Sequence, residues 1–416
     1  MPILRHLCKH HLRRTMGFRC SNLFLTGFMT HFSAPPLAKS KETLKALDIE
    51  KTDKRDRFPA FSIHPALQPT AMKLLTAANR HTVSVSNCFF LLVHLFLFSS
   101  RMSMAMSVGR VPGSPVIDSH LHVWANAATE SDTFPYAPGQ EPPESLREAA
   151  STAALLDAMS VHGVDGALIV QPINHGFDHA YVSRALRDHP DKFKGMLLHD
   201  PALPPAEAVS ALEELVLKGF VGVRFNPYLW PEREGETGWK PMSTLGEGGL
   251  AVYKRCAELK MPVGIMCFRG LQHHYDDILA LLRASPETVL ILDHFGFTAF
   301  TDEGNAAFEQ LLGLASHPNV VVKISALFRL GDEDGATYSR VRKERFRPLL
   351  EAYGPGRLMF GSDFPFALEQ DGGYRRPAEV VSSWLGDDEE ARRQVMGGTA
   401  ARCFGEWGTK APLSKD

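Results

Sequence analysis

The chain has few cysteines, and no two of them are closely spaced. Six cysteines are scattered over 416 residues, and none belongs to a C-x-x-C pair: Cys8, Cys20, Cys88, Cys256, Cys267 and Cys403. This pattern excludes a disulfide scaffold and argues against a cysteine zinc site. Hydrophobic residues are 44% and charged residues 22%, as in ordinary globular proteins. The composition therefore excludes a largely disordered chain, a fibrous repeat and a polytopic membrane protein.

The first part of the chain has little negative charge. Residues 1–115 hold 16 Lys/Arg against 5 Asp/Glu, whereas the remaining residues hold 29 against 42, and the first acidic residue is Glu42. An acid-poor, Arg-bearing N-terminus is typical of an organelle transit peptide. An unstructured tail and a gene-model extension are the alternatives. We predict that residues 1–115 form a basic leader outside the fold. If the leader is real we expect a plastid or mitochondrial location, and otherwise a cytoplasmic one.

The leader also lacks an apolar run long enough to cross a bilayer. Cys88–Phe98 is an apolar run of eleven residues, interrupted by His94, whereas a spanning helix needs about 20 residues. Its length suits a signal-peptide core, but it lies too deep for a signal that starts at Met1. We therefore expect no stable membrane span. The acidic body has no basic face, so we expect no nucleic-acid partner.

From Val116 onward, short β-branched runs alternate with segments of helical period. The predicted helices are Ser145–His162, Pro205–Lys218, Leu250–Leu259, Tyr275–Ala284, Ala306–Ala315 and Arg342–Tyr353. Their apolar residues recur three and four positions apart, which marks one buried helix face. The predicted strands are Val116–Ser119, Gly166–Gln171, Gly195–His199, Gly219–Phe225, Pro262–Phe268, Thr288–Asp293, Asn319–Ser325 and Arg357–Gly361.

The alternation favours a closed barrel over an open sheet. Strands alternating with helices indicate a parallel sheet, and eight strands over this length fit a (β/α)8 TIM barrel. An open doubly wound sheet would normally place a glycine-rich phosphate loop after its first strand, but no G-x-G-x-x-G or G-x-x-x-x-G-K-[ST] motif follows any early strand here. We predict an α/β fold: one TIM barrel over residues 116–404, preceded by the non-barrel leader and followed by a tail at 405–416.

Polar residues stand where the predicted strands end, which is the face that carries the active site in such barrels. The first strand runs into His120 and His122, whose i, i+2 spacing points both imidazoles the same way. His294 follows the sixth strand and Asp363 the eighth. An H-x-H pair alone is a weak signal. Together with D-H and G-S-D-x-P at two other strand ends it predicts an active site.

Three motifs resemble the amidohydrolase-related branch of the amidohydrolase superfamily, over about Val116 to Phe404. Within this branch the chain looks most like the sugar-lactonase and 2-pyrone-4,6-dicarboxylate lactonase group. Its sequence as a whole is most similar to plant members of that group. The motifs are Val116–Trp124, Leu292–Gly296 and Phe360–Pro365, with Gly222–Asn226 pointing to the lactonase group. The resemblance implies a hydrolase that acts on a lactone or related ester of a small acidic or sugar-derived substrate.

The chain departs from the superfamily's metal-binding pattern at two strands. Arg224 stands where binuclear members have a lysine after the fourth strand, and Cys267 replaces the histidine after the fifth. Lactonases of the resembling group are described as working without a metal. We therefore expect no cofactor. A single zinc ion held by His120, His122 and Asp363 is the alternative; Cys267 could ligate zinc, but we favour a small buried side chain for it.

The predicted mechanism needs no metal. Asp363 takes a proton from water as general base, and His120, His122 and His294 polarise the carbonyl as the oxyanion forms. A zinc ion would polarise the carbonyl instead. Arg224 offers a planar fork for a substrate carboxylate or hydroxyls. The other predicted substrate contacts are Asn226, Trp124, Arg269 and Tyr228.

Structural readings compete for several of these residues. Asp363 could cap a turn, and Arg224 could pair with an acid inside the barrel. We interpret His175, His179 and His199 as structural, Lys323 as a salt-bridge residue, and His273 and His274 as surface residues that open a helix. Two other functions stay open: a zinc-dependent decarboxylase of the same superfamily, and a non-catalytic barrel that binds a small acid. The sequence leaves the oligomeric state open.

Overall fold

The computed structural model describes residues 110–229, 246–332 and 337–408. The predictions for a transit peptide, for the run Cys88–Phe98 and for most of the leader concern residues outside these ranges. No helix within the described ranges is both apolar enough and long enough to reach across a bilayer.

Eight parallel strands form one sheet in strictly sequential order. Each predicted strand is present, with its bounds shifted by a few residues at most. The strands are β1 Ile117–Leu121, β2 Gly166–Val170, β3 Phe193–Leu198, β4 Phe220–Phe225, β5 Val263–Ile265, β6 Leu290–Leu292, β7 Val320–Ile324 and β8 Leu358–Phe360.

The sheet closes between its first and last strands, just beyond the end of β8. Leu121 forms a parallel bridge with Phe364, and the His122 amide donates to the Phe364 carbonyl at 2.7 Å. Asp118 adds a side-chain link, because its Oδ1 accepts from the Ser362 amide at 2.9 Å. These contacts confirm the predicted barrel and bring the residues after β8 next to those of β1.

Helices connect the strands, and three more follow β8. The helices are α1 Thr152–His162, α2 Ala180–Asp188, α3 Pro205–Leu217, α4 Gly246–Leu259, α5 Tyr275–Ala284, α6 Asp302–Gly313, α7 Arg347–Tyr353, α8 Arg375–Trp384, α9 Glu389–Arg393 and α10 Thr399–Phe404. Two π-helical turns, Arg342–Phe346 and Gln394–Gly398, and a short helical turn, Ser339–Val341, precede later helices. Four of the helices were not predicted: α2, α8, α9 and α10.

The predicted helix Ser145–His162 is wrong at its start. The structure has a 3-10 turn at Glu144–Leu146 and begins α1 at Thr152. The Ser151 hydroxyl accepts a hydrogen bond from the Ala154 amide at 3.2 Å and so caps the helix. Leu146 and Ala150 precede α1, and both are buried although neither belongs to an α-helix.

The barrel interior has an apolar layer and a charged layer. Ile117, Leu168, Met196, Ile291, Val321 and Met359 pack together with Ala400 and Phe404 of α10. Burying such a side chain contributes about 1.5–3 kcal/mol. Because alternate strand residues share a face, Asp293 lies two positions beyond Ile291 and Lys323 two beyond Val321. The sheet therefore carries charged side chains directly above the apolar layer.

Candidate active site

Three histidines surround one carboxylate at the C-terminal end of the barrel. His120 lies in β1, His122 just after it, His294 after β6 and Asp363 after β8. Oδ1 of Asp363 is 3.9 Å from Nε2 of His120, 3.8 Å from Nε2 of His122 and 3.8 Å from Nε2 of His294. All four side chains are buried. The structure thus brings the four predicted catalytic residues together, at separations longer than a hydrogen bond.

The three imidazoles are neutral, because burial dominates their titration. Burial lowers the pKa of His122 to about 3, and it holds the pKa values of His120 and His294 well below the ordinary value. Nδ1 of His122 is 2.9 Å from the Val170 carbonyl oxygen. A carbonyl only accepts, so Nδ1 carries the proton and Nε2 presents a lone pair towards Asp363.

Asp363 is a buried carboxylate with an arginine against it. Burial raises its pKa to about 6, while Arg329 and Arg224 act in the opposite direction. Nε of Arg329 is 3.2 Å from Oδ2 of Asp363. The other oxygen, Oδ1, is the one that faces the histidines. A carboxyl group that titrates near 6 suits proton transfer close to neutral pH.

A second carboxylate, Asp293, lies below the histidines among three partners. Its Oδ2 accepts from Nε of Arg224 at 3.1 Å, and its Oδ1 is 3.3 Å from Nζ of Lys323 and 3.2 Å from Nδ1 of His120. Burial alone would raise the pKa of Asp293, but Lys323, His120 and Arg224 together hold it well below its usual range. Asp293 is therefore ionised.

A cavity of about 350 Å³ opens above Asp363. Its wall combines aromatic side chains with arginines and asparagines. Nη2 of Arg224 is buried and has no hydrogen-bond partner within the described part of the chain. The lining residues are His122, Trp124, Pro172, Ile173, Asn174, Arg224, Asn226, Tyr228, Met266, Phe268, His294, Arg329, Asp363 and Phe366.

Of the predicted substrate contacts, four line this cavity and one does not. Arg224, Asn226, Trp124 and Tyr228 belong to its wall. Arg269 is exposed and is not among the lining residues. Trp124 also serves packing, because it is fully buried and its Nε1 donates to the Leu146 carbonyl at 3.2 Å.

Sequence reasoning missed several residues of the site. Arg329 and Phe366 lie in short 3-10 turns after β7 and β8, which are too short to show a periodicity. Asp293 was noted only as the neighbour of His294. A signal did exist for Asp293, since it shares a strand face with the inward Ile291.

The structure bears on the structural interpretations of Arg224 and of two histidines. Arg224 does pair with a buried acid, Asp293, while it also lines the cavity. His179 is structural, since its Nε2 accepts from the Leu198 amide at 3.0 Å. His274 does open α5, but the predicted surface position is wrong, because the residue is buried.

Several site residues have strained backbone conformations. His294, Phe295, Phe297 and Asp363 all have φ between 52° and 62°. A non-glycine residue in this left-handed region costs on the order of 1–3 kcal/mol and persists only where its surroundings impose it. At His294 and Asp363 the strained backbone aims the side chain at the shared centre.

The converging side chains are suited to binding a metal ion as well as to proton transfer. Ligand atoms of His120, His294 and Asp363 lie within 4.8 Å of one another, and His122 approaches the same carboxylate oxygen. Neutral imidazole nitrogens and a carboxylate are the usual zinc donors. Cys267 is not among the side chains whose ligand atoms converge, and burial raises the pKa of its thiol.

The barrel carries an H-x-H pair at the end of β1, a histidine after β6 and an aspartate after β8. The amidohydrolase family model matches residues 117–405. The chain therefore belongs to the amidohydrolase family, and the resemblance to its lactonase-like group is confirmed. Family membership and the lactonase relative described next support a hydrolase.

Relatives of known structure or activity agree with this assignment. The chain is 37% identical over 126 residues, 28% of its length, to an L-fucono-1,5-lactonase from Burkholderia multivorans, of which the match spans 42%. It is 26% identical to a Pseudomonas putida protein proposed to be a 2-pyrone-4,6-dicarboxylic acid hydrolase, with a TM-score of 0.54 over 70% of this chain and 97% of that one.

A zinc-containing structure shares the fold. An amidohydrolase from Burkholderia multivorans with bound zinc is 22% identical, with a TM-score of 0.52 over 70% of this chain and 99% of that one. At this identity the likeness establishes the fold. The inference about metal in the present chain depends on its own side chains.

Proposed function

We propose that this protein hydrolyses a lactone of a small, acidic or sugar-derived molecule. The observation that carries the proposal is the buried Asp363 carboxylate, which faces a cavity of about 350 Å³ that is rimmed by Arg224 and Arg329. The similarity to an L-fucono-1,5-lactonase and to a protein proposed to be a 2-pyrone-4,6-dicarboxylic acid hydrolase supports a lactone as the bond that is cleaved.

In this mechanism Asp363 takes the proton from the attacking water. Its free Oδ1 faces the histidine cluster, while Arg329 holds Oδ2. Water attack on the ring carbonyl forms a tetrahedral oxyanion, which collapses with cleavage of the ring C–O bond. The proton passes from Asp363 to the leaving oxygen, and the product is a hydroxy acid.

The oxyanion needs a donor or a positive charge. Neutral His122 carries its proton on Nδ1, so its Nε2 has no hydrogen to donate. We therefore assign the charge-assisted contacts to the arginines: Nη2 of Arg224 is unpartnered and belongs to a cavity-lining residue. Either a substrate carboxylate or the oxyanion would satisfy that group.

A mononuclear zinc hydrolase is the second candidate. It is favoured by the bare Nε2 of His122 and by the spacing of the other donors around Asp363. His120, His122, His294 and Asp363 would hold the ion, which would supply positive charge for the developing oxyanion. A zinc-dependent decarboxylase would use the same residues, and it would differ in releasing carbon dioxide.

A panel of lactones tests the proposal by proton release. We expect turnover of at least one carboxylated or sugar lactone, and we expect Asp363→Asn to lower the rate by about 10²–10⁴-fold because the general base is lost. Asp200→Asn is the matched control, since Asp200 also follows a strand but does not line the cavity. Its rate should stay close to that of the unmodified protein.

The outcomes separate the candidates. Activity that survives chelation supports the metal-free mechanism, and loss on chelation with recovery on adding zinc supports the zinc hydrolase. Release of carbon dioxide from an aromatic acid points to the decarboxylase. Tight binding of a sugar acid without turnover points to a non-catalytic barrel. An Asp363→Asn variant with native rate contradicts the mechanism.

A further inference from the structure

Three buried polar atoms form a triangle beneath the histidine cluster. Nδ1 of His120 lies 3.2 Å from Oδ1 of Asp293 and 3.2 Å from Nζ of Lys323. Nζ of Lys323 lies 3.3 Å from the same Asp293 oxygen. All three side chains are fully buried. Each edge of the triangle is within hydrogen-bond distance.

The triangle allows two states of His120. In one, Nδ1 carries the proton and donates to Asp293, and Nε2 presents a lone pair to Asp363. In the other, Lys323 donates to Nδ1, and the proton sits on Nε2. The two states have opposite chemistry at the cavity: the first makes His120 an acceptor or metal ligand, and the second makes it a donor to an oxyanion.

The geometry favours the first state. Asp293 only accepts and Lys323 only donates. If Lys323 donated to Nδ1, the nitrogen lone pair would face the Asp293 oxygen at 3.2 Å with no proton between them. Lys323 has three donors that rotate, and the Asp293 oxygen is available to it. Arg224 holds the second Asp293 oxygen, so the carboxylate stays turned towards His120.

We propose that Asp293 is a positioning residue: it holds His120 as the Nδ1–H tautomer and draws Lys323 away from the imidazole. Nε2 of His120 then faces Asp363 as a lone pair, and it has no hydrogen-bond partner in the described structure. A carboxylate that accepts a hydrogen bond from one ring nitrogen of a histidine fixes the tautomer and the orientation of the ring, and therefore what the other nitrogen presents to the site. The chemical use of that lone pair rests on the proposed function, whereas the tautomer does not.

The test is the nitrogen resonances of the intact protein. In protein labelled with ¹⁵N-histidine, long-range ¹H–¹⁵N correlation distinguishes a protonated from an unprotonated ring nitrogen. The His120 signals are identified by their loss in His120→Gln. We expect Nδ1 of His120 to be protonated, both before and after chelator treatment. A native spectrum with the proton on Nε2 overturns the proposal, whatever the protein's substrate is.

Variants of the triangle extend the test. In Asp293→Asn, Lys323 becomes free to donate to Nδ1, so we expect the His120 proton to move to Nε2 and kcat/KM to fall about 10–100-fold. In Lys323→Met the Arg224–Asp293 contact remains, and His120 should stay Nδ1–H. This second variant keeps the proposal falsifiable if Asp293→Asn does not fold, because a proton on Nε2 in Lys323→Met contradicts it.

Thr288→Val controls for destabilisation alone. Thr288 is buried and its hydroxyl donates to the Tyr253 carbonyl at 3.1 Å, away from the triangle. The Thr288→Val variant should unfold more easily than the native protein, without any change in the His120 signals. If Thr288→Val moves those signals as much as Asp293→Asn does, Asp293 has only a structural role and the proposal fails.

Discussion

At the residue scale, Arg224 divides its guanidinium between two partners. Nε donates to Asp293 inside the barrel, while Nη2 is buried without a partner in the described structure and the residue lines the cavity. A planar guanidinium can bind in two directions at once, and a lysine ammonium is a single point charge. Both structural interpretations of Arg224 therefore hold together: it pairs with an acid and it remains available to a ligand.

Arg224→Lys should separate these contacts. The lysine keeps the charge beside Asp293 but loses the second donor direction, so a substrate carboxylate loses one charge-assisted hydrogen bond. Such a bond contributes about 1.5–3 kcal/mol, which is a decrease of about 10- to 150-fold in kcat/KM. Steady-state kinetics with a carboxylated lactone and its uncharged ester supply the control. An equal decrease for both substrates would contradict carboxylate binding by Arg224.

At the element scale, the end of α1 shows how one backbone conformation stops a helix. Gly163 caps α1 with φ 68° and donates to the Met159 carbonyl, and the Val164 amide donates to the same carbonyl at 3.0 Å. This arrangement satisfies a carbonyl that the last helical turn leaves open. Gly313 ends α6 with an ordinary helical φ of −60°. The two glycines therefore have different conformational requirements.

A matched pair of alanine substitutions measures this difference. A Cβ at Gly163 would meet nothing within 4 Å, so Gly163→Ala should lose about 1 kcal/mol of unfolding free energy from conformation alone. At Gly313 the nearest atom to a Cβ is the Tyr275 hydroxyl oxygen at 3.7 Å. Gly313→Ala should therefore gain about 0.5–1 kcal/mol. Urea unfolding checks both values, and a shift of the same sign in both variants would refute the argument.

At the scale of the whole molecule, burial of neutral histidines couples stability to pH. Burial lowers the pKa of His179, His199 and His274 to about 4 in each case. In the unfolded chain these groups titrate near 6.5. The unfolded state therefore binds more protons between the two values. The stability contributed by the neutral histidines is complete above about pH 6.5 and is lost as the pH falls towards about 4.

His179→Gln should flatten this dependence. Each such histidine contributes a slope of up to about 1.4 kcal/mol per pH unit between the two pKa values. Unfolding free energies from urea titrations at pH 7, 6 and 5 should fall less steeply in the variant, even if it is less stable at pH 7. His273→Gln, at an exposed position, controls for the substitution itself. Identical slopes in His179→Gln and the native protein would contradict the burial argument.

Much of the fold could be predicted because its signals are local. Alternating strands and helices follow from apolar periodicity, and the eight strands appear where that pattern places them. The helices α2, α8, α9 and α10 escaped prediction, and α9 and α10 are too short for a clear period. Asp363 and the three histidines around it could be found because each one lies near the end of a strand or follows it closely. Closure of a parallel barrel brings all such ends to one face.

Only the tertiary structure decided what each of these groups can do. The contacts of Arg329 with Asp363 and of Lys323 with His120 join residues that are 34 and 203 positions apart. No periodicity encodes such distances, since they depend on how the barrel closes. The tautomer of His122 follows from the Val170 carbonyl on the neighbouring strand. Sequence by itself determined the barrel and the chemical types at its rim, whereas protonation, charge pairing and cavity shape follow from burial and from contacts between distant segments.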